Sequence, residues 1–340
     1  MLLLSFGWPC PGAAVVLYSC VWLPRARCAA DDHLRNVVAI VGPTAVGKTA
    51  VAIELAYDIG GEIVSADSMA VYAGMDIGTA TPGPAERARA KFHLIDVAEP
   101  GRPFSVGEYQ RLAHLAIDDI IGRNPPAIVV GGSGLYVRAA VDGLDSSIPA
   151  ENAQVRRRLQ DQARKLGGSY VHAQLARVDP ESAERIHPNN LKRVIRALEI
   201  YQTTGVPASV LHEEDSKRPP RYGDAVLVGL GMERQTLYAR IDWRVDEMVR
   251  AGLVDEVKSL LERGVGPELP SMQGLGYKEI VGYIRGEYGK DEACALIKKN
   301  TRRFAKRQYT WFNADARIKW IDVDGLTAAE VSSIAKELIG

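Results

Sequence analysis

Three hundred and forty residues, 46% hydrophobic and 25% charged, describe a globular chain of about two domains and exclude a disordered or collagenous one. Forty-two Lys and Arg balance forty-two Asp and Glu, so no global basic field draws nucleic acid, and such a partner must be met by a local patch. Four cysteines without a CxxC pair exclude a disulfide scaffold and fit a reducing, cytoplasmic compartment. Three of them (Cys10, Cys20, Cys28) fall in residues 1–35, where apolar runs are broken by Pro9, Pro11 and Pro24 and no basic residue precedes Arg25. That segment suits neither a secretory signal nor a membrane span, which needs about 20 uninterrupted apolar residues. We expect a translated upstream extension from a mis-set start and leave it out of fold reasoning; no other stretch is apolar enough to span a membrane.

From Val37 the pattern becomes regular. Residues 37–41 form a continuous apolar run, the mark of a strand buried on both faces. A helix follows through Ile59, stopped by Gly60-Gly61, and residues 63–66 read as a second strand ending at Asp67-Ser68. A helix over about 106–121 precedes a third strand at 127–130, which ends in Gly131-Gly132-Ser133-Gly134. Strands alternating with helices predict an α/β fold, a parallel sheet with helices on both faces. Residues 151 to about 215 are polar and helical with no strand signal. Residues 225–228 return to the sheet, and helices are predicted from about 233 to 263 and from about 291 to 312. The division is then 36–150 for the first part of the core, 151–220 for a helical insertion and 221–340 for the second part.

Gly42-Pro43-Thr44-Ala45-Val46-Gly47-Lys48-Thr49 fits the phosphate-loop pattern and lies between a predicted strand and helix, making the core P-loop NTPase-like. Its glycines let backbone N–H groups curl around phosphate oxygens at a helix N-terminus. Lys48 supplies a point charge and Thr49 a hydroxyl for a magnesium ion. The ligand class is a di- or triphosphate, and the loop is blind to what the phosphates are attached to. Ligands of open parallel sheets bind beyond the carboxyl ends of the strands, where Asp67 and Ser133 also lie. Asp67 at that edge suits a general base, a magnesium ligand, or a turn former, since Asp-Ser often begins a turn.

The run Ser65-Ala66-Asp67-Ser68-Met69, with Val71-Tyr72 and Gly74-Met75-Asp76-Ile77-Gly78-Thr79-Ala80, resembles the tRNA dimethylallyltransferases (tRNA isopentenyltransferases). So do His93-Leu94-Ile95-Asp96-Val97, the turn from Gly131 to Tyr136, and Arg193-Val194-Ile195-Arg196-Ala197-Leu198-Glu199. Arg240-Ile241-Asp242 through Met248, Gly276-Tyr277-Lys278-Glu279, and Thr301-Arg302-Arg303 through Lys306-Arg307-Gln308 with Trp311 continue the likeness, so that it covers nearly all of residues 37–322. The resemblance implies transfer of a dimethylallyl group from dimethylallyl pyrophosphate to N6 of the adenine at tRNA position 37, in tRNAs reading codons that begin with U. The loop then holds the leaving pyrophosphate with Mg2+, and Asp67 takes the proton of the attacking amine. Ser133 stands where the family more often has threonine, and Arg240 and Arg244 are candidates for a pyrophosphate clamp or, beside Asp242 and Asp246, a solvated helix face. By the same resemblance tRNA contacts fall on Asp67, Ser68, Met69 and Ala70, on Lys192, Arg193, Val194, Ile195 and Arg196, on Gln273, Gly276, Tyr277 and Lys278, and on Arg302, Lys306 and Arg307. Many bacterial members carry glutamine and a basic residue where this chain has Ala70 and Ala73, which implies altered affinity. The zinc-finger extension of eukaryotic relatives is absent, and a monomer suffices.

From Ala293 to Ala314 there is no acidic residue, while Lys298, Lys299, Arg302, Arg303, Lys306 and Arg307 all occur there, a predicted phosphate-binding stripe. Lys192, Arg193 and Arg196 make a second basic cluster, and Arg156-Arg157-Arg158 a third. Against each stands the plain reading of a solvated face; the three together favour RNA. A base modified in a crowded site leaves its stack, and Tyr277 is the expected stacking partner. Rival readings are an adenylate isopentenyltransferase acting on free nucleotide, a P-loop small-molecule kinase, and a regulatory ATPase that binds RNA. The helical insertion and the basic helix favour tRNA over the free nucleotide.

Overall fold

Residues 36–144, 149 and 151–340 are described in this computed structural model; the expectation for residues 1–35 lies outside them. Six parallel strands, β1 (Val37–Val41), β2 (Glu62–Ser65), β3 (Phe92–His93), β4 (Ala127–Gly131), β5 (Val226–Gly231) and β6 (Lys319–Asp322), pair in the order β3-β2-β4-β1-β5-β6. The alternation of side chains along β1 sets the layers, because successive residues point to opposite faces. Val37, Ala39 and Val41 enter one core, with Tyr109, Ile117, Leu260 and Ile280. Val38 and Ile40 enter the other, with Leu55, Ile59, Val331 and Ile339.

The helices are α1 (Lys48–Ile59), α2 (Pro84–Arg89), α3 (Val106–Gly122), α4 (Gly134–Val141), α5 (Ala153–Leu166), α6 (Gly168–Val178), α7 (Pro180–Arg185), α8 (Leu191–Thr204), α9 (Ala208–Ser216), α10 (Arg234–Arg250), α11 (Leu253–Glu262), α12 (Tyr277–Ile284), α13 (Lys290–Phe312) and α14 (Ala328–Ile339). Between β4 and β5, α5 to α9 gather around an apolar core of their own built from Leu159, Val171, Leu175, Val194 and Leu198. The single helix expected over 233–263 is two. Gly252 takes φ of +103°, a left-handed turn that ends one helix, while Asp255 and Glu256 stand in the first turn of the next and complement its N-terminal dipole.

Two strands escaped the sequence reading. β3 has only two residues, and β6, at the sheet edge, buries only Ile321 of its four, so neither presents an apolar run. Among the described residues no helix is long and apolar enough to cross a membrane.

Candidate active site

The carboxyl ends of β1, β2 and β4 release three loops into one cavity of about 330 Å3. The phosphate loop contributes Thr44 and Ala45, the turn after β2 contributes Asp67, Ser68 and Met69, and the turn after β4 contributes Ser133. Gly78 and Thr79 come from the loop before α2, and Arg244, Val245 and Met248 from α10. Convergence at the strand ends follows from the parallel sheet, whose strands all deliver their loops to the same edge.

Within the phosphate loop, Ala45 adopts φ of +67°, a conformation side chains rarely take, and strain of this kind concentrates at ligand-gripping loops. Lys48 folds back, its Nζ donating to the carbonyl of Pro43 at 2.7 Å. Desolvation draws its ammonium down to about 7, Asp67 resists that fall and Arg244 adds to it. Burial likewise lowers Arg244, against the attraction of Asp67. The Nη2 of Arg244 donates to the Thr79 carbonyl at 3.4 Å, and its Nε is buried without a partner. Two desolvated cations around one carboxylate, one with an unused N–H, have the chemistry to receive a strongly anionic group. Val46 is buried beneath the loop, and Thr49 is half-buried in the first turn of α1.

Asp67 forms the turn expected of it and keeps one carboxylate oxygen outside that turn. Its Oδ1 accepts from the amides of Met69 at 2.8 Å and Ala70 at 3.4 Å, building the turn, and both bonds spare Oδ2. Ser133 Oγ lies 3.1 Å from Ser68 Oγ and accepts from the Ser68 amide at 3.3 Å, tying the β4 turn to the β2 turn.

Other expected site residues divide. Arg240 is exposed and does not line the cavity, whereas Arg244, one turn on, does. Ala70 is a buried methyl outside the lining. Gln273, Gly276 and Lys278 line the cavity, with Gln273 donating to the Pro267 carbonyl at 2.7 Å. Tyr277 lines it too, but its ring is 1% exposed, packed against Gly78, and its hydroxyl donates to Glu256 Oε1 at 2.7 Å. In this arrangement it is a wall, with no ring face open to stack a base.

The basic clusters are partly consumed internally. Arg302 grips Asp242 on α10 with Nη1 at 2.6 and 2.7 Å from the two carboxylate oxygens, and Lys298 donates to Asp246 at 2.8 Å. Lys306 and Arg307 are exposed, and Arg307 reaches the cavity lining. In the insertion Lys192 and Arg193 are exposed, Val194 and Ile195 are buried in its core, and Arg196 pairs with Glu199 at 2.9 Å. Arg156 reaches the same Glu199 oxygen at 2.9 Å, and Arg158 donates to Gln202 at 2.6 Å.

Sequence reasoning missed three features. An apolar wall of Ile241, Val245 and Met248 from α10 with Ile297 and Phe304 from α13 faces the polar loops. Helical spacing was its only trace, and a core stripe shows the same spacing. Glu256 accepts the amides of Asp76 at 2.9 Å, Ile77 at 2.8 Å and Gly78 at 3.2 Å, clasping the loop that Arg244 touches. Gln308, buried in α13, bonds to both the phosphate loop and the β4 turn. A larger cleft of about 740 Å3 lies elsewhere, and its Arg138, Arg221 and Arg317 already pair with Asp215, Asp118 and Asp142.

Comparison with known proteins agrees with this geometry. Residues 70–315 match the model of the IPP transferase family, and residues 35–97 that of isopentenyl transferases. A tRNA dimethylallyltransferase of Desulforudis audaxviator is 50% identical over 304 residues, 89% of this chain and 96% of that one. Another, from Pelobacter propionicus, is 49% identical over 85% of this chain and 93% of its own. The full-length tRNA isopentenylpyrophosphate transferase of Bacillus halodurans has a similar structure, with a TM-score of 0.66 at 40% identity, covering 90% of this chain and 97% of that one. A eukaryotic dimethylallyltransferase acting on tRNA superposes with a TM-score of 0.75 at 26% identity, over 90% of this chain and 79% of its own. Phosphate loop, strand-edge carboxylate and specific blocks thus coincide with one line of descent, and the chain belongs to the IPP transferase family.

Proposed function

We propose that this protein transfers the dimethylallyl group of dimethylallyl pyrophosphate to N6 of the adenine at position 37 of tRNAs reading codons that begin with U, giving N6-isopentenyladenosine. The observation that carries this reading is one cavity with two unlike walls. Asp67 and Arg244 line one side, with the buried Lys48 ammonium acting on both, and Ile241, Val245, Met248, Ile297 and Phe304 form the other. A pyrophosphate with a five-carbon apolar tail has this division of polarity, whereas a kinase donor would turn a polar ribose toward the apolar wall.

In the reaction the allylic C–O bond breaks, its electron pair leaves with the pyrophosphate, and the adenine N6 forms the new C–N bond. Lys48 and the unpaired Nε of Arg244 stabilise the charge that grows on the leaving group. Asp67 receives the N6 proton. The residues fit a magnesium ion. The described residues hold no cluster of three acidic, His or Cys ligands, and Thr49 and Ser133 offer hydroxyl oxygens, a sparse set of the kind Mg2+ completes with water and substrate phosphates. Bound by Thr49 and Ser133, it would offset the charge of the departing pyrophosphate.

Exposed Lys306, Arg307, Lys192 and Arg193 supply the phosphate contacts for the tRNA. A monomer working in the cytoplasm fits these features. The test is mass spectrometry of an unmodified anticodon stem-loop incubated with the protein, magnesium and dimethylallyl pyrophosphate, without ATP. One added prenyl group, lost in Lys48→Ala, is the expected result. Prenylation of free AMP alone would transfer the reading to the nucleotide-specific enzymes, and no product with either acceptor would sink it.

A further inference from the structure

We infer that Gln308 is a positioning residue, a strut that sets the separation of the two loops gripping the prenyl donor; the inference rests on the donor reading above. Its carboxamide is 5% exposed and reaches in two directions. Oε1 accepts the backbone amide of Thr44, in the phosphate loop, at 2.9 Å, and Nε2 donates to the Gly132 carbonyl, in the β4 turn, at 2.9 Å. An amide N–H can only donate and a carbonyl can only accept, so these two partners fix which way the carboxamide faces. One loop leads into Lys48 and Thr49; the other leads into Ser133, which is bonded in turn to the Asp67-Ser68 turn. The side chain of Gln308 therefore spans the donor cradle from a third element.

The fit on the β4 side leaves no slack. A Cβ at position 132 would overlap Nε2 of Gln308, and one at position 134 would overlap the Trp311 indole, one turn further along α13. On the far side Tyr309 accepts the Met232 amide at 3.0 Å, beyond the end of β5. Consecutive residues of α13 thus hold the loops that follow β1, β4 and β5, and Arg307 beside them lines the cavity. Because Thr44 gives its N–H to Gln308, the loop offers pyrophosphate the amides that follow Thr44. Reacting groups misplaced by about 1 Å can cost on the order of 10²-fold in rate, which is the scale on which such a strut acts.

Four variants test this. Gln308→Leu keeps the volume and removes both bonds; Gly132→Ala keeps Gln308 and pushes against it; Gln308→Ala empties the space, and Gln308→Ala combined with Gly132→Ala gives the added methyl the vacated room. We expect Gln308→Leu and Gly132→Ala each to raise the KM for dimethylallyl pyrophosphate and the Kd for inorganic pyrophosphate by about fivefold or more, with the Kd for the anticodon stem-loop within about twofold of wild type. In the Gln308→Ala background, Gly132→Ala should add less than twofold, the non-additivity of two groups in contact. A purely structural role would lower the active fraction and leave donor KM and pyrophosphate Kd unchanged, and that outcome overturns the proposal. So does strict multiplication of the two single effects. Failure of the wild-type protein to prenylate any acceptor would instead count against the donor reading itself.

Discussion

In the helical insertion, Arg156 and Arg196 both close on one oxygen of the fully buried Glu199; at the strand edge, Lys48 and Arg244 stand around Asp67, and among the described residues neither closes an ion pair with it. Glu199 is held below the usual carboxylate range. Burial works the other way and is outweighed by Arg196, the Asn152 amide and Arg156. There the charges are neutralised by folding and serve the fold. At the strand edge desolvation lowers both cations, Asp67 offsets only part of that cost, and the Nε of Arg244 has no partner, so an anion arriving there would offset the rest. Similar residues thus do opposite work, and the difference lies in whether a carboxylate reaches them.

The sharpest way to break this contrast is to remove the acid on each side. Asp67→Asn should lower turnover by about 10² to 10⁴, the usual worth of a general base, while the Kd for the stem-loop changes little. Turnover within threefold of wild type would take Asp67 out of that role. Glu199→Leu should leave chemistry at the strand edge intact in the folded fraction and destabilise the insertion by about 3 kcal/mol, because Arg196, Arg156 and the Asn152 amide all lose the buried carboxylate, Arg156 keeping only its pair with Glu151. Hydrogen exchange would register it as faster opening of α5 to α9 than of the sheet. Equal opening of both would mean that the insertion core is not a separate unit of stability.

The same contrast explains what the sequence could tell. The phosphate loop, the strand-end Asp67 and the Gly131-to-Gly134 turn were legible because each lies where a buried strand stops, and strand-buried runs are visible in one dimension. The basic stripes were legible as charge but not as function. Nothing in the spacing of Arg302 or Arg196 announces Asp242 on another helix, or that Glu199 is buried. Tyr277 is ambiguous for a related reason, since an aromatic beside a site can wall it or stack in it, and no spacing announces the Glu256 bond or the packing on Gly78 that bury its ring here. Gln308 lies 264 residues from Thr44, and no periodicity links them. β6 stayed hidden because edge strands need no apolar face.

A subtler probe is pH. With the Lys48 ammonium drawn down to about 7, the free protein loses that charge as pH rises through 7, and anion binding must then restore a proton. Affinity for inorganic pyrophosphate should therefore fall above pH 7, by up to about tenfold per unit, with proton uptake visible by calorimetry in buffers of different ionisation heat. Lys48→Met should flatten the profile beyond what pyrophosphate itself contributes. For stability the sign is the reverse of a favourable pair. The charged form is penalised, so the destabilisation is full below pH 7 and fades as pH climbs toward the unfolded lysine value of about 10.4. Lys48→Met should accordingly stabilise the unliganded protein most at neutral and acid pH.

The smallest effects divide the residues of α13 among themselves. Lys306 and Arg307 are exposed, so each that meets a tRNA phosphate should contribute about 0.7 to 0.9 to the slope of log affinity against log salt. Replacing both by Ala should flatten that slope by more than one while leaving the melting temperature nearly unchanged. Arg302, bound to Asp242 through both of its carboxylate oxygens, should do the converse: Arg302→Ala loosens the seam between α10 and α13 and leaves the salt slope close to wild type. A slope that flattens equally for Arg302 would mean that its pair with Asp242 opens when tRNA binds, giving up an internal carboxylate for an external phosphate. The helix would then behave like the strand edge, with its charge held for an arriving anion, and the insertion alone would keep its arginines for the fold.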